Sequence, residues 1–168
     1  MNANMKSELF ERILLESASD TDERAGVIIR KKGTNLVLAC RGWGKKKASD
    51  GGILPDTGDL PKGHKMEGES FADAAIREAR EETGLVLGRN IKYLGTFDYG
   101  RKNKTLAVFY AEADFELEDL YCESTFTNVY GKTVPEVVDY YLVDIGDLGP
   151  WFRSLKPILN VCFEKINV

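Results

Sequence analysis

The segment Gly63 to Leu85, GHKMEGESFADAAIREAREETGL, constrains this chain more than any other. Ser70 can cap a helix running to Thr83, with Asp73 at its third position forming a weak capping box. Gly84 stops the helix, because glycine accepts the left-handed conformation found at helix ends. At about 100° per residue, Ala72, Ala75, Ile76 and Ala79 share one arc. Glu78, Glu81 and Glu82 share an adjoining arc of roughly 100°. The first arc predicts packing on a sheet. The second sets three like charges side by side, and each i,i+3 or i,i+4 pair costs a few tenths of a kcal/mol. They also stand in the C-terminal half, where the helix dipole disfavours anions. A hard divalent cation would reverse that sign, since Mg²⁺ prefers carboxylate and phosphate oxygens. Taken alone, such a helix reads more plainly as a solvated acidic face neutralised by Arg77 and Arg80.

The wider segment resembles the Nudix box. That pattern runs Gly, five residues, Glu, seven residues, Arg-Glu, an apolar residue, one residue, Glu-Glu, one residue, Gly and an apolar residue. Here the positions are Gly63, Glu69, Arg77, Glu78, Ala79, Glu81, Glu82, Gly84 and Leu85. Every spacing holds, and Ala79 is a small occupant of the apolar position. The resemblance implies an α+β Nudix fold, a mixed β-sheet sandwiched between α-helices. It implies a pyrophosphohydrolase that cleaves a nucleoside diphosphate linked to another moiety, water attacking phosphorus with Mg²⁺ or Mn²⁺ as cofactor. By position, Glu78, Glu81 and Glu82 become metal ligands and catalytic groups, with Lys62 or Gly63 offering a backbone carbonyl to a metal. Glu69 and Arg77 would brace the loop against the helix, and Arg77 would also steer carboxylates or phosphate. Bound metals would lower the pKa of the attacking water. The general base stays open between a box glutamate, Glu81 foremost, and Glu123 or Glu136 on a later loop.

Around the box the chain reads as one domain over 1–168, since 168 residues match a typical single domain of ~150. Residues 7–17 have the spacing of a short amphipathic helix. Ala25 to Arg30 and Asn35 to Cys40 predict a hairpin across the Lys31-Lys32-Gly33-Thr34 turn. Strands follow at Ile91 to Tyr99, Thr105 to Ala113 and Val137 to Val143, with an irregular stretch from Phe115 to Val134. Pro150 suits the first turn of a C-terminal helix over 150–166, which Pro157 would kink or interrupt. The net charge of −4 argues against a dedicated nucleic-acid binder. No apolar run approaches the ~20 residues of a membrane span, and residues 1–15 lack the pattern of a secretory signal. Cys40, Cys122 and Cys162 read as reduced thiols of a cytoplasmic protein. The oligomeric state is open between monomer and homodimer. P-loop, EF-hand and serine-hydrolase motifs are absent.

The substrate is read from the residues before the helix. Leu60-Pro61-Lys62-Gly63-His64 is similar to the turn of Nudix enzymes that hydrolyse dinucleoside polyphosphates and diphosphoinositol polyphosphates. Lys62 suits a polyphosphate as a point charge. Arg41 and Lys45 to Lys47 add a basic cluster within a glycine-rich loop, Arg41 to Gly63, of a length usually functional or mobile. Arg41, Lys45, Lys62 and His64 are therefore the candidate substrate-binding residues, and His64 is equally readable as a simple turn residue. Those relatives often carry an aromatic residue where this chain has Gly58. Trp43 would either stack on a base or pack the loop. The favoured substrate is a small-molecule nucleotide, a dinucleoside polyphosphate. ADP-ribose-type compounds or nucleoside triphosphates are the alternative, and a non-catalytic ligand sensor is the alternative of another class.

Overall fold

The computed structural model describes residues 21–167; the helix expected at 7–17 lies outside them. Strands β1 (Asp22–Lys31) and β2 (Leu36–Gly42) form the expected hairpin, turning at Gly33, whose φ of 77° favours glycine. They stay paired only near the turn, at Arg30↔Val37, and then part. Into the opening come two short strands, β3 (Gly58–Asp59) on β2 and β4 (Lys62–His64) on β1. The Val27 N–H donates to the Pro61 carbonyl at 3.1 Å, which ties the connecting residues in place. Gly26 permits this approach, because a Cβ there would lie 2.8 Å from the Lys62 Cβ and 3.1 Å from the Pro61 oxygen.

On its other edge β1 pairs in parallel with β6 (Lys104–Ala113), from Asp22↔Lys104 to Lys31↔Ala113. Strand β5 (Lys92–Asp98) adds antiparallel to β6, and β9 (Val137–Asp144) antiparallel to β2. The result is a mixed seven-stranded sheet. Alternation along β1 divides its apolar residues between two cores. Val27 and Ile29 face helix α1 (Phe71–Thr83), through Ala74, Ala75 and Ala79. Ile28 faces helix α2 (Lys156–Ile166), through Ile158, Leu159, Cys162 and Phe163. The architecture is α+β, with a mixed sheet held between two helices.

Three expectations need correction. Pro150 does not open the C-terminal helix. Its carbonyl accepts the Thr57 and Gly58 N–H groups, and Trp151 bridges to Gly58. Helix α2 begins at Lys156, and Pro157 sits in its first turn, where the missing N–H costs no helical bond, so it produces no kink. Within the stretch read as irregular, β7 (Thr125–Thr127) and β8 (Thr133–Pro135) make a separate hairpin. All three cysteines are free thiols. Among the described residues no helix is long and apolar enough to cross a membrane.

Candidate active site

Helix α1 starts and stops as its residues dictate. The Ser70 side chain accepts the Asp73 N–H, and Gly84, at φ 78°, closes the last turn by donating to the Arg80 carbonyl. Between these caps the three glutamates do not form a solvated face. Glu78 is 7 % exposed and Glu82 6 %, because β4 runs directly beneath the helix. Gly63 makes room for this: a Cβ there would fall inside the Glu78 carboxyl group. Glu82 accepts the Lys62 backbone N–H at 3.3 Å. Glu81 is only half-buried.

Arg77 joins the loop to these acids. Its guanidinium grips Glu69 in bidentate fashion at 2.8 and 3.1 Å and donates to the His64 carbonyl at 2.8 Å. Its Nη1 also reaches Glu78 at 2.9 Å and Glu81 at 3.1 Å. Glu69 further accepts the Met66 N–H, which closes the turn entering the helix. Hydrogen bonding to Arg77 holds the Glu69 carboxyl below the usual range. Burial pushes Glu78 up, with Glu81 and Glu136 adding to the rise against the pull of Arg77. Glu82 is pushed well up, first by burial and then by Asp59, Glu78 and Glu136, with Lys62 opposing. Two buried carboxylates beside further acids are costly to ionise unless a positive charge joins them.

The chemistry of this donor set fits a hard divalent ion. Carboxylate oxygens of Glu78, Glu81 and Glu82 meet its preference, and the positive Arg77 Nη1 already stands between two of them. Among the described residues no three acidic, histidine or cysteine side chains converge on one point.

The later-loop acids separate. Glu136 lies near enough to raise both Glu78 and Glu82, and its carboxylate accepts the Ser124 hydroxyl at 3.4 Å. Glu123 is exposed and paired with Arg80 at 3.3 Å. Both are carried past the end of α1 by a segment whose Glu123 and Ser124 N–H groups donate to the Glu81 carbonyl.

The candidate substrate residues do not gather as one basic cluster. Arg41 is spent on Asp139 (3.2 Å), the Tyr141 hydroxyl and the Lys45 carbonyl. Lys47 also pairs with Asp139, and Lys45 lies over the Phe152 ring. These contacts root the glycine-rich loop. Lys62 Nζ is bound to Asp59 at 2.8 Å; burial would lower this lysine, but Asp59, Tyr99 and Glu82 outweigh it and raise it. His64 is exposed, with Nδ1 3.0 Å from Asp22 and Nε2 3.3 Å from Arg24.

A second cationic group, missed in the sequence, surrounds that contact. Asp22 is shared by Arg24 at 3.1 Å, Arg101 at 2.9 Å and His64. Lys104 lies over the Tyr99 ring beside them, and burial together with Arg24, Lys62 and Arg101 lowers its pKa. Four permanent cations, Arg24, Lys62, Arg101 and Lys104, thus face two carboxylates, Asp22 and Asp59. Nothing in the local sequence announces this, because it depends on the parallel pairing Asp22↔Lys104.

A model of the NUDIX domain matches residues 20–142, and the chain belongs to that family, whose members generally use divalent cations. Nudix hydrolase 27, a chloroplastic protein of Arabidopsis thaliana, is 36% identical over 96 residues, which are 55% of this chain and 41% of that protein. The match thus spans about two-fifths of that relative's length. A C. elegans Ap4A hydrolase in a binary complex superposes with a TM-score of 0.59 at 18% identity, covering 87% of this chain and 98% of that one. The NUDIX domain of Shewanella oneidensis NrtR, complexed with ADP ribose, does so with a TM-score of 0.59 at 14% identity, covering 90% and 97%. At such identities these two structures share the fold.

Proposed function

We propose that this chain is a metal-dependent pyrophosphohydrolase that cleaves a nucleoside diphosphate linked to another moiety, with a dinucleoside polyphosphate as its favoured substrate. The observation that carries this reading is the pairing of an acid cluster, buried Glu78 and Glu82 with half-buried Glu81, with the cation excess around Asp22 and His64. The two are linked through β4, whose Gly63 lies under Glu78 and whose His64 touches Asp22.

Glu78, Glu81 and Glu82 would hold the divalent ion, Mg²⁺ or Mn²⁺, with the carbonyls of Lys62 and Gly63 as further ligands. When bound, that ion supplies charge neutralisation at the phosphates and acidifies the attacking water. Arg77 fixes the carboxylates and ties them to Glu69, so the acids keep their places while phosphate binds. Glu136 takes the proton from water, since its charge is felt at both Glu78 and Glu82 while Glu123 is engaged by Arg80. Arg24, Arg101, Lys104 and His64 receive the phosphates beyond the cleaved bond, and Lys62 supports them from its pair with Asp59. Arg41 and Lys45, read in the sequence as substrate contacts, serve here to shape the loop. A long phosphate chain uses that cation excess better than the two phosphates of ADP-ribose.

The test is turnover on a panel of dinucleoside polyphosphates, ADP-ribose, nucleotide sugars, diphosphoinositol polyphosphates and nucleoside triphosphates with Mg²⁺, products being resolved by chromatography. The dinucleoside polyphosphates should show the highest kcat/KM, and turnover should stop in excess chelator. A clear preference for ADP-ribose removes the polyphosphate assignment. Full turnover in chelator removes the metal-dependent one.

A further inference from the structure

We propose that Asp22 is a specificity-determining residue that acts by position: it gathers Arg24 and Arg101 so that both meet the phosphates beyond the cleaved bond, and so favours long phosphate chains over ADP-ribose, an inference that rests on the pyrophosphohydrolase reading above. Asp22 is the first residue of β1 and is only 8% exposed. Its Oδ1 accepts Arg24 Nε at 3.1 Å and stands 3.0 Å from His64 Nδ1. Its Oδ2 accepts Arg24 Nη2 at 3.3 Å and Arg101 Nη2 at 2.9 Å. One carboxylate thus joins β1, β4 and the turn between β5 and β6. Closure of that turn on β1 does not depend on it, because the Asp22 N–H already donates to the Asn103 carbonyl at 2.8 Å. Burying a carboxylate is costly unless it is paired. Here burial would raise Asp22, but Arg24, His64 and Lys104 outweigh it and hold it below the usual range, so it stays ionised at neutral pH.

The pairing leaves the cations usable. Arg24 commits Nε and Nη2, and Arg101 commits one nitrogen, so Arg24 Nη1 and the Nε and Nη1 of Arg101 have no acceptor among the described residues. The Lys104 ammonium lies over the Tyr99 ring beside them. Without an anion between them the two guanidinium groups repel, and Arg101, with its side chain 68% exposed on a turn, has nothing else to fix it. Held by Asp22, both present free donors before the ligand arrives, which limits the entropy lost on binding. The site is one residue from the acids: His64 touches Asp22, and Gly63 lies under Glu78. A long phosphate chain leaving those acids reaches the pair, whereas the two phosphates of ADP-ribose are taken up at the cleaved bond. Net charge alone predicts the opposite effect of Asp22, since removing a carboxylate should tighten the binding of an anion.

The test titrates metal-free protein with inorganic tripolyphosphate in a calorimeter, beside kinetics with Mg²⁺. Asp22→Asn turns one acceptor into a donor that faces an arginine. It should weaken tripolyphosphate binding by about ten-fold despite the added positive charge. KM for the best dinucleoside polyphosphate should rise to a similar extent at nearly constant kcat, and KM for ADP-ribose should stay as it was. Asp22→Glu should recover part of the loss. Arg101→Met should cost less affinity in the Asp22→Asn background than in the wild type, because the carboxylate acts through that arginine. Unchanged or tighter tripolyphosphate binding in Asp22→Asn overturns the role, as does a wild type that does not bind tripolyphosphate. So does a KM that rises equally for both substrates with a lower melting temperature, the pattern of a mere brace. Weakened binding in Asp22→Asn, in a protein that cleaves nothing on the panel, sustains the gathering of phosphate ligands and defeats the hydrolase reading. Should Asp22→Asn not fold, Asp22→Glu decides, since its added methylene displaces the carboxylate from both arginines: tripolyphosphate affinity equal to that of the wild type overturns the role.

Discussion

Glu82 carries opposing demands on one side chain. It projects from the last turn of α1 toward β4, within the field of Glu78, Glu136 and Asp59, and it accepts one long hydrogen bond from the Lys62 N–H. Metal-free protein therefore holds a carboxylate whose ionised form is disfavoured. Glu82→Gln keeps the volume and an acceptor for Lys62 while removing the charge. Its metal-free melting temperature should equal or exceed that of the wild type, by up to about 1 kcal/mol in stability. Mg²⁺ should stabilise the wild type by mass action and the variant less, and turnover should nearly vanish. A variant that melts well below the metal-free wild type yet turns over near-normally would falsify the metal-ligand role. Gly63 makes a sharper demand on its neighbour, since any side chain there evicts the Glu78 carboxyl. Gly63→Ala should cost about 1–3 kcal/mol and lose far more activity than stability, as read by melting curves beside kcat/KM. Unaltered turnover in a folded Gly63→Ala would mean that Glu78 has no fixed place in the reaction.

Helix α1 was legible as an element because all its signals are local. The cap, the stop and the apolar arc lie within fifteen residues, and Ser70 and Gly84 act as their chemistry dictates. Ser70→Ala should accordingly lower stability by about 1 kcal/mol with kcat nearly intact, since the cap stands about two turns before Arg77. A loss of kcat matching that of Glu82→Gln would show instead that the cap governs the position of the acids. Elements defined by distant partners were read less well. The start of α2 was misplaced because the pairing of Pro150 and Trp151 with Gly58 is invisible at that point in the chain. The β7–β8 hairpin was missed because its residues, exposed except Val134, show no buried alternation. The box glutamates were found by spacing, but their burial was not, since it depends on β4 filling the gap between β1 and β2.

Across the whole molecule a net charge of −4 conceals two opposed groups of carboxylates, and together they set how stability responds to pH. Glu78 and Glu82 have folded values raised above 4.5. The folded state then binds their protons more tightly than the unfolded chain, so their contribution is complete below 4.5 and is lost as pH rises through the raised values. Glu69, Asp22 and Asp139 are lowered in the folded state, with Arg77, Arg24 and Arg41 as their cationic partners. Their contribution is present above the ordinary carboxylate range and is lost as pH falls through the lowered values. Metal-free protein should therefore gain melting temperature as pH falls from neutrality toward about 5 and lose it on further acidification. Saturating Mg²⁺ binds the ionised acids and competes with their protons, so it should raise the neutral side most and flatten or reverse the first slope. Glu82→Gln should reduce that slope in chelator and leave the acid limb unchanged. Melting curves across pH, with chelator and with Mg²⁺, test both limbs at once. A metal-free melting temperature that only declines from neutrality downward would show that Glu78 and Glu82 are ionised at no cost, and the buried cluster would then have no unmet charge for a cation to satisfy.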